Sequence, residues 1–434
     1  MSTILGTVID SLFVFSMVFI WLMLIYQFIL TLGGFLFWRS QRNRPTTPIQ
    51  NDELPPISIL IPARNEEKVI TGLLERIGQF DYPAKKLEVI VLNDGSKDST
   101  GEIIEKAAVW DTRIRLVTIP TEMSGKGKSA VLNLGLQHAT HDIIAVYDAD
   151  NLPEPESLRR LCTHLLHHDH LGAVVGKFRA YNKGKNLLTR LINLETLAFQ
   201  WIIQAGRACL MKITILPGTN FIIRKTVLQQ AGGWDVQALC EDSELTFRIY
   251  QSGFRIDFLP AAISWEQEPE TIRTWIRQRV RWARGNSYLI AKHGASVFRR
   301  KPEWLTLEIL NLFILYYLFV FALLFSDLLF LLSLGDFIHL RIIGPYAQLW
   351  LLAFLLYLLE IQLAMSFERE DSLRSLALAL IAYLIYTKLW IFVVLKSLWE
   401  DHVLKKKRTW VKTERFAPES APPTEPKDHQ GDPR

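Results

Sequence analysis

Four long apolar runs constrain this chain more than any other feature: Leu12–Trp38, Leu305–Leu334, Tyr346–Phe367 and Leu373–Leu398. Each is long enough to cross roughly 30 Å of hydrocarbon as a helix. Four runs of that length are poorly explained as core helices of a soluble protein. The first is not a signal peptide. Its apolar part far exceeds the roughly 7–15 residues of a secretory h-region, and no small-residue cleavage site follows it. The basic flank Arg39, Arg42 and Arg44 comes after the run, which by the positive-inside rule leaves the N-terminus outside and the chain from about residue 40 in the cytoplasm. Cys162, Cys209 and Cys240 are odd in number and lack metal-ligand spacing, as expected of reduced cytoplasmic thiols. The expected layout is a multi-pass protein of the inner or plasma membrane. Residues 1–39 form the first span, 40–54 a linker, and 303–400 a C-terminal membrane region of about three segments.

Charge sharpens this topology and exposes a conflict in it. The formal net charge of +5 comes largely from flanks such as "LKKKRTWVKTER", Leu404–Arg415. Beside a membrane such a tail most simply touches anionic lipid headgroups. A nucleic-acid partner is not expected, because no reader motif accompanies the basic run. Three crossings after a cytoplasmic domain would leave this tail outside, against the rule that oriented the first span. Either one of the three late runs lies in the interface or re-enters, or the tail is an exception to the rule; Lys388 and Lys396 make the last run the least clean. Residues 401–434 read as basic and then, from Ala417, as a disordered tail rich in Pro, Glu and Asp.

Residues 55–300 read as a soluble-type domain. "ISILIPA" is a fully buried parallel strand in pattern. "LEVIVLNDGSKDST" repeats strand, turn and helix, with Ser99 or Thr100 as the expected cap. "IRLVTIP" is a third strand, "KGKSAVLNLGLQHA" a glycine-and-lysine turn into a helix, and "HDIIAVYDADN" a fourth strand that ends on two carboxylates. Strand and helix alternating at this spacing predict an α/β, doubly wound, mostly parallel sheet set between membrane helices. No G-x-G-x-x-G or Walker pattern is present, which argues against a dinucleotide fold or an ATPase.

In such sheets, ligands bind beyond the carboxyl ends of the strands. Ala63, Arg64, Glu66, Asp94, Lys128, Asp148 and Asp150 all fall at or just after a strand end and should converge on one edge. Asp94 suits a ribose hydroxyl or a base N–H, and Lys126 and Lys128 suit phosphate. Asp148 and Asp150 suit Mg²⁺ or Mn²⁺, hard cations that take oxygen ligands and leave positions for substrate phosphate. The pattern fits a sugar-nucleotide site. "CEDSELTFRI" has helical spacing and puts Glu241 and Asp242 at a helix start, with Glu244 more structural in position. "PGTNFIIRK" offers Gly218, Thr219 and Asn220 in a turn suited to an acceptor sugar. Two segments are expected to lie on the membrane, near 186–212 and 271–290, with a buried amphipathic helix as the alternative for the first. In the second, Arg281 could grip diphosphate oxygens in a bidentate fork, and Trp282 could offer a flat face to a sugar ring.

The combination "PARNEE", "NDGSKDST", "KSAVLNLGL", "DAD", "PGTNFIIRK", "CEDSELTFRIYQSGF" and "RQRVRWARGN" resembles the family 2 inverting glycosyltransferases of the membrane-embedded processive type. Cellulose, chitin-oligosaccharide, poly-N-acetylglucosamine and hyaluronan synthases belong to that type. The resemblance implies a GT-A-like nucleotide-sugar transferase fold, with Asp148 and Asp150 handling UDP and metal and Asp242 as general base, Glu241 standing next to it. It also implies that Gln278, Arg281 and Trp282, in a Q-x-x-R-W pattern, close over donor and acceptor. Cys240 departs from the Thr that often precedes the Glu-Asp pair. The implied activity is transfer from a UDP-sugar, first UDP-N-acetylglucosamine, to the end of a growing β-linked polysaccharide. Export of the glycan, with or without accessory export proteins, would accompany it. The alternative is transfer of one sugar, for example glucose, to a diacylglycerol or polyprenyl phosphate.

Overall fold

The computed structural model describes residues 3–41, 49–122, 124–297, 304–338, 342, 344–407 and 415–416. Arg42, Arg44, most of the basic tail and everything from Ala417 lie outside the described residues.

A helix α1 (Thr3–Gln41) opens the chain. The domain then runs β1 (Ile57–Ala63), α2 (Ile70–Gly78), β2 (Leu87–Asn93), α3 (Thr100–Trp110), β3 (Ile114–Thr118), α4 (Lys128–His138) and β4 (Ile143–Val146). It continues through β5 (Leu152–Pro153), α5 (Ser157–Leu166), β6 (Leu171–Ala180), α6 (Leu187–Ala198), α7 (Ala205–Leu210), β7 (Phe221–Arg224), α8 (Lys225–Gln230), α9 (Glu241–Gln251), β8 (Arg255–Glu266) and α10 (Ile272–Val297). A π-helical turn, Phe199–Gln204, joins α6 to α7.

The strands form one sheet in the order β3-β2-β1-β4-β7-β6-β8-β5. The first four are parallel throughout, as their unbroken apolar runs require. The second half is mixed, because β7 runs antiparallel to both β4 and β6. Alternation sorts the side chains to two faces. Ile59, Ile61, Val89 and Val91 pack against α2, α3 and α5. Leu60, Ile90, Leu92 and Val146 face α4, α9 and, in one continuous core, the apolar helices beyond. One local expectation fails: Ser99 occupies the cap position of α3 without a side-chain hydrogen bond. Asp98 takes that role, accepting from the Thr100 N–H at 3.1 Å and from its hydroxyl at 2.5 Å.

After the domain come α11 (Trp304–Phe313), α12 (Val320–Leu334), α13 (Tyr346–Phe367), α14 (Leu373–Ile381) and α15 (Thr387–Leu398). With π-helical turns between them, these give candidate spans Leu305–Ser333, Gln348–Phe367 and Leu373–Val403, beside Ile4–Gln41. Ion pairs bolt the domain to this bundle: Lys177 to Glu368 at 2.6 Å, Arg179 to Glu370 at 3.2 Å and Arg207 to Glu308 at 3.0 Å. The segment expected to lie on the membrane near 186–212 is instead enclosed between the sheet and α1, with Ile192, Leu194, Leu197, Trp201 and Ile202 buried.

That enclosure requires two helix backbones to touch. A Cβ on Gly34 of α1 would sit 2.1 Å from the Trp201 carbonyl oxygen, and one on Gly206 of α7 would sit 2.4 Å from that of Leu30. Gly34→Val or Gly206→Val is expected to destabilise the protein by about 1–3 kcal/mol or more through overpacking. Gly184→Ala, which meets nothing within 4 Å, is expected to be neutral. Thermal unfolding of the detergent-solubilised protein checks this, and equal melting temperatures for all three variants would refute the close helix contact.

Candidate active site

The parallel strands end where expected, and their loops meet. The Asp94 N–H donates to the Ala63 carbonyl at 2.9 Å, so the β1 and β2 ends are locked together. The Asp94 carboxylate then accepts from the Gly125 N–H at 2.8 Å and from Arg64 Nη1 at 3.3 Å. Ala63 contributes through its backbone alone. The Glu66 N–H donates to Thr100 Oγ1 at 2.7 Å, which fixes the turn after β1 to the start of α3.

Lys128, the first residue of α4, organises the centre. Its ammonium lies 2.6 Å from Asp148 Oδ1 and 3.8 Å from Glu241 Oε1, and donates to the Gly218 carbonyl at 2.7 Å. The ammonium is in hydrogen-bond reach of two acceptors on separate elements and pairs with Glu241 by charge alone. The Asp148 N–H donates to Thr219 Oγ1 at 3.0 Å and to Asn151 Oδ1 at 3.1 Å. The turn after β4 is thus tied to the turn before β7. Gly218 has φ +103°, and a Cβ there would lie 2.5 Å from Asp242 Oδ2. Glycine therefore lets the base candidate approach the turn.

Asp242 and Glu241 occupy the first turn of α9. Asp242 is buried, and its Oδ1 has no hydrogen-bond partner. Burial raises its pKa well above the ordinary range; the negative charges of Glu241 and Asp148 add to this, and Lys128 opposes it. Glu244 plays the structural part expected of it. Burial pushes its carboxyl up, but hydrogen bonds from His293, Arg248 and Lys292 outweigh that and bring it down to about 2.

The helix with the Q-x-x-R-W pattern is α10. Arg281 Nη1 donates to the Leu239 carbonyl at 3.2 Å, and Cys240 Sγ lies 3.8 Å from the Trp282 carbonyl. The motif is pinned to the loop that delivers Asp242. Cys240 fills the gap over Gly285, and burial pushes its thiol up to about 12. It is a packing group, not a nucleophile.

Two sequence-level assignments do not join this cluster. Lys126 is exposed and, among the described residues, forms no ion pair with it. Asn220 turns its amide into the sheet and donates to the Lys177 and Ala262 carbonyls, each at 3.0 Å. One residue was missed. Arg415, read as part of a lipid-facing tail, is half-buried against Asp150, with Nη2 2.9 Å from Oδ2. Its Nη1 donates to the Gln267 carbonyl at 2.9 Å, and the Phe416 N–H donates to Gln267 Oε1 at 2.8 Å. Nothing in the spacing of a basic run marks one arginine for this place.

Asp148 and Asp150 fit a hard divalent cation. They are two adjacent carboxylates, each already matched by a cationic side chain. Asp150 is buried, and burial pushes its carboxyl up while the paired Arg415 opposes. Among the described residues no third protein ligand joins them; a cation held there would be completed by substrate phosphate and water.

The fold matches that of known proteins. A mannosyltransferase from Pyrobaculum calidifontis, solved with GDP-Man and Mn²⁺, superposes with a TM-score of 0.60 at 20% identity, covering 90% of this chain and 100% of that one. The mixed sheet with its flanking helices is thus of the GT-A type. The chain is 42% identical over 412 residues to a probable glycosyltransferase, YdaM, of Bacillus subtilis, covering 94% of this chain and 98% of that one. It is 28% identical over 253 residues to the poly-beta-1,6-N-acetyl-D-glucosamine synthase of Staphylococcus aureus, covering 58% and 60% respectively. Residues 55–285 match the family described as glycosyltransferase like family 2, and the chain belongs to that family. It is a glycosyltransferase.

Chemistry that needs Asp242 ionised must fade as pH falls through its raised pKa. Glu241→Gln removes the largest of the charges that raise it. The acid limb of the transfer rate is expected to move to lower pH in this variant. A limb that stays put, or moves up, would show that Asp242 is not the group titrating.

Proposed function

We propose that this glycosyltransferase is an inverting membrane synthase that adds sugar from a UDP-sugar to the end of a β-linked glycan and couples addition to export. The observation that carries the reading is Asp242: a buried carboxylate with one open oxygen, at the shared strand edge and beside the helix that borders the membrane bundle. In the proposed step the acceptor hydroxyl oxygen bonds to the anomeric carbon from the face opposite the diphosphate. The bond from that carbon to the diphosphate breaks, UDP leaves with the electron pair, and Asp242 takes the hydroxyl proton. Asp94 and Arg64 hold the nucleoside end, Lys128 and Arg281 the diphosphate, and Gly218, Thr219, Gln278 and Trp282 border the acceptor. A divalent cation on Asp148 and Asp150 would neutralise charge developing on the leaving diphosphate. The likeness to a poly-N-acetylglucosamine synthase supports UDP-N-acetylglucosamine as the donor to try first.

The topology conflict has a physical resolution in the same reading. The last apolar helix meets the catalytic domain at both ends. Just before it, Glu370 accepts from Asn193 at 2.8 Å; at its close, Asp401 accepts from Arg284 at 2.7 Å. We read it as lying along the interface, with α1, α11–α12 and α13 crossing. Three crossings keep the domain and Arg415 on one side, as the basic tail requires. In this reading the domain keeps the limits 55–300 and the membrane region 303–400, with the boundary between them outside the described residues.

Purified membranes fed one radiolabelled UDP-sugar at a time test the reading through product length. Long product is expected with one donor; a mono-glycosylated, chloroform-soluble lipid with every donor would favour single transfer instead. Asp242→Asn keeps the shape but cannot accept the proton, so transfer is expected to fall by about 10²–10⁴-fold with donor binding retained. Asp150→Asn should abolish turnover, and EDTA should silence the wild type. Full activity in EDTA would remove the metal from the scheme.

A further inference from the structure

Beneath the Q-x-x-R-W helix lies a buried cluster that the proposed chemistry does not use. The Arg279 guanidinium, 2% exposed, sits 4.3 Å from the centre of the Trp282 ring and 5.6 Å from that of Trp275. Its Nη2 donates to Glu195 Oε2 of α6 at 2.6 Å, and Nη1 donates to the neighbouring Gln278. Glu195 is filled from a third element as well. Oε2 accepts from the Tyr386 hydroxyl at 2.6 Å and Oε1 from Trp390 Nε1 at 3.0 Å. Trp275 Nε1 donates to the Tyr386 oxygen at 2.8 Å. The contacts Arg279, Glu195, Tyr386 and Trp275 close into a ring through the Arg279–Trp275 stack, and Trp282 packs on Arg279 from outside it.

We propose that Glu195 and Arg279 are positioning residues for Trp282, and that Tyr386 and Trp390 of the last apolar helix hold them in place. This rests on the reading above that Trp282 supports the acceptor sugar. A buried guanidinium needs a carboxylate to fix it, and its flat face stacks on an indole where an ammonium would not. Glu268, hydrogen-bonded by Thr196, is the other buried carboxylate whose charge acts on Arg279. Without Glu195 the guanidinium would turn toward Glu268 and leave the back of Trp282 unsupported. Glu195→Gln keeps the size but turns one acceptor oxygen into a donor that faces the Trp390 N–H or the Tyr386 and Arg279 donors. The device makes the acceptor platform depend on where the interfacial helix lies.

The test compares, in purified full-length protein, labelled sugar built into glycan with labelled sugar released by hydrolysis of UDP-N-acetylglucosamine, or of whichever UDP-sugar the wild type uses. Glu195→Gln, Arg279→Lys and the milder Tyr386→Phe are each expected to lower the ratio of transfer to hydrolysis by about tenfold, the factor one lost buried contact of this kind corresponds to. UDP affinity should be unchanged. A merely structural cluster would lower both activities together with the melting temperature, as Glu308→Gln, which breaks the distant Arg207 pair, is expected to do. Trp282→Ala separates the two claims. If it lowers the ratio and Tyr386→Phe and Glu195→Gln do not, the positioning role is wrong and the acceptor platform stands. If Trp282→Ala leaves the ratio intact, the platform itself is wrong and the positioning role falls with it.

Discussion

The ammonium of Lys128 is the contact on which the site depends. Its partners come from the turn after β4, the turn before β7 and the first residue of α9, so one point charge fixes three segments that the chain visits far apart. Gathering Asp148, Glu241 and Asp242 in a buried pocket without it would place like charges together in a medium that screens poorly. Removing one partner of such a cluster typically costs about 3–5 kcal/mol, because the others are left uncompensated. The same charge opposes the upward push that burial and Glu241 exert on Asp242. At the neighbouring carboxylate, Arg415 plays the corresponding part for Asp150.

Around this point the domain and the apolar helices share one interior. Leu60 and Ile90 of the sheet belong to the same packed core as Ile309, Val320, Ile361 and Val393 of the bundle. The other face of the sheet carries a separate core closed by α2, α3 and α5. The asymmetry has a functional sense. The face that borders the bundle carries α9 and α10, the helices of Asp242, Arg281 and Trp282, while the remote face only supports the strands. Ion pairs from Lys177, Arg179 and Arg207 hold the two regions in register at their rim.

Much of this was legible in the chain because it is local. Buried parallel strands declare themselves as unbroken Ile, Val and Leu runs, and a carboxylate after such a run has little reason to be there except at a ligand edge. Asp94, Asp148 and Asp150 are readable on that basis; Asp242, in the first turn of α9, is readable through the likeness of its motif to family 2 transferases. What was hidden depends on contacts far apart in sequence. The Glu195–Tyr386 bond spans 191 residues, and no spacing rule links its ends. Asn220 was misjudged because a turn residue with φ +50° offers its amide either to a ligand or to the sheet, and only the position of the β6 and β8 carbonyls decides. The last apolar run has the length and hydropathy of a span, and the pairing of Glu370 before it with Asn193 and of Asp401 at its end with Arg284 joins residues that no spacing rule links.

The most direct measurement is an experimental structure of the full chain with UDP and Mn²⁺ in a lipid nanodisc, with the metal located by its anomalous signal or by density. The expected result has the uridine end beside Asp94, the metal on Asp150 and Asp148, and the diphosphate between Lys128 and Arg281. Asp242 should lie across from the nucleotide with one carboxylate oxygen open toward the Trp282 side. A diphosphate bound away from the Asp148–Asp150 edge, or an Asp242 carboxylate engaged with the nucleotide, would contradict the assignment of donor and base sides.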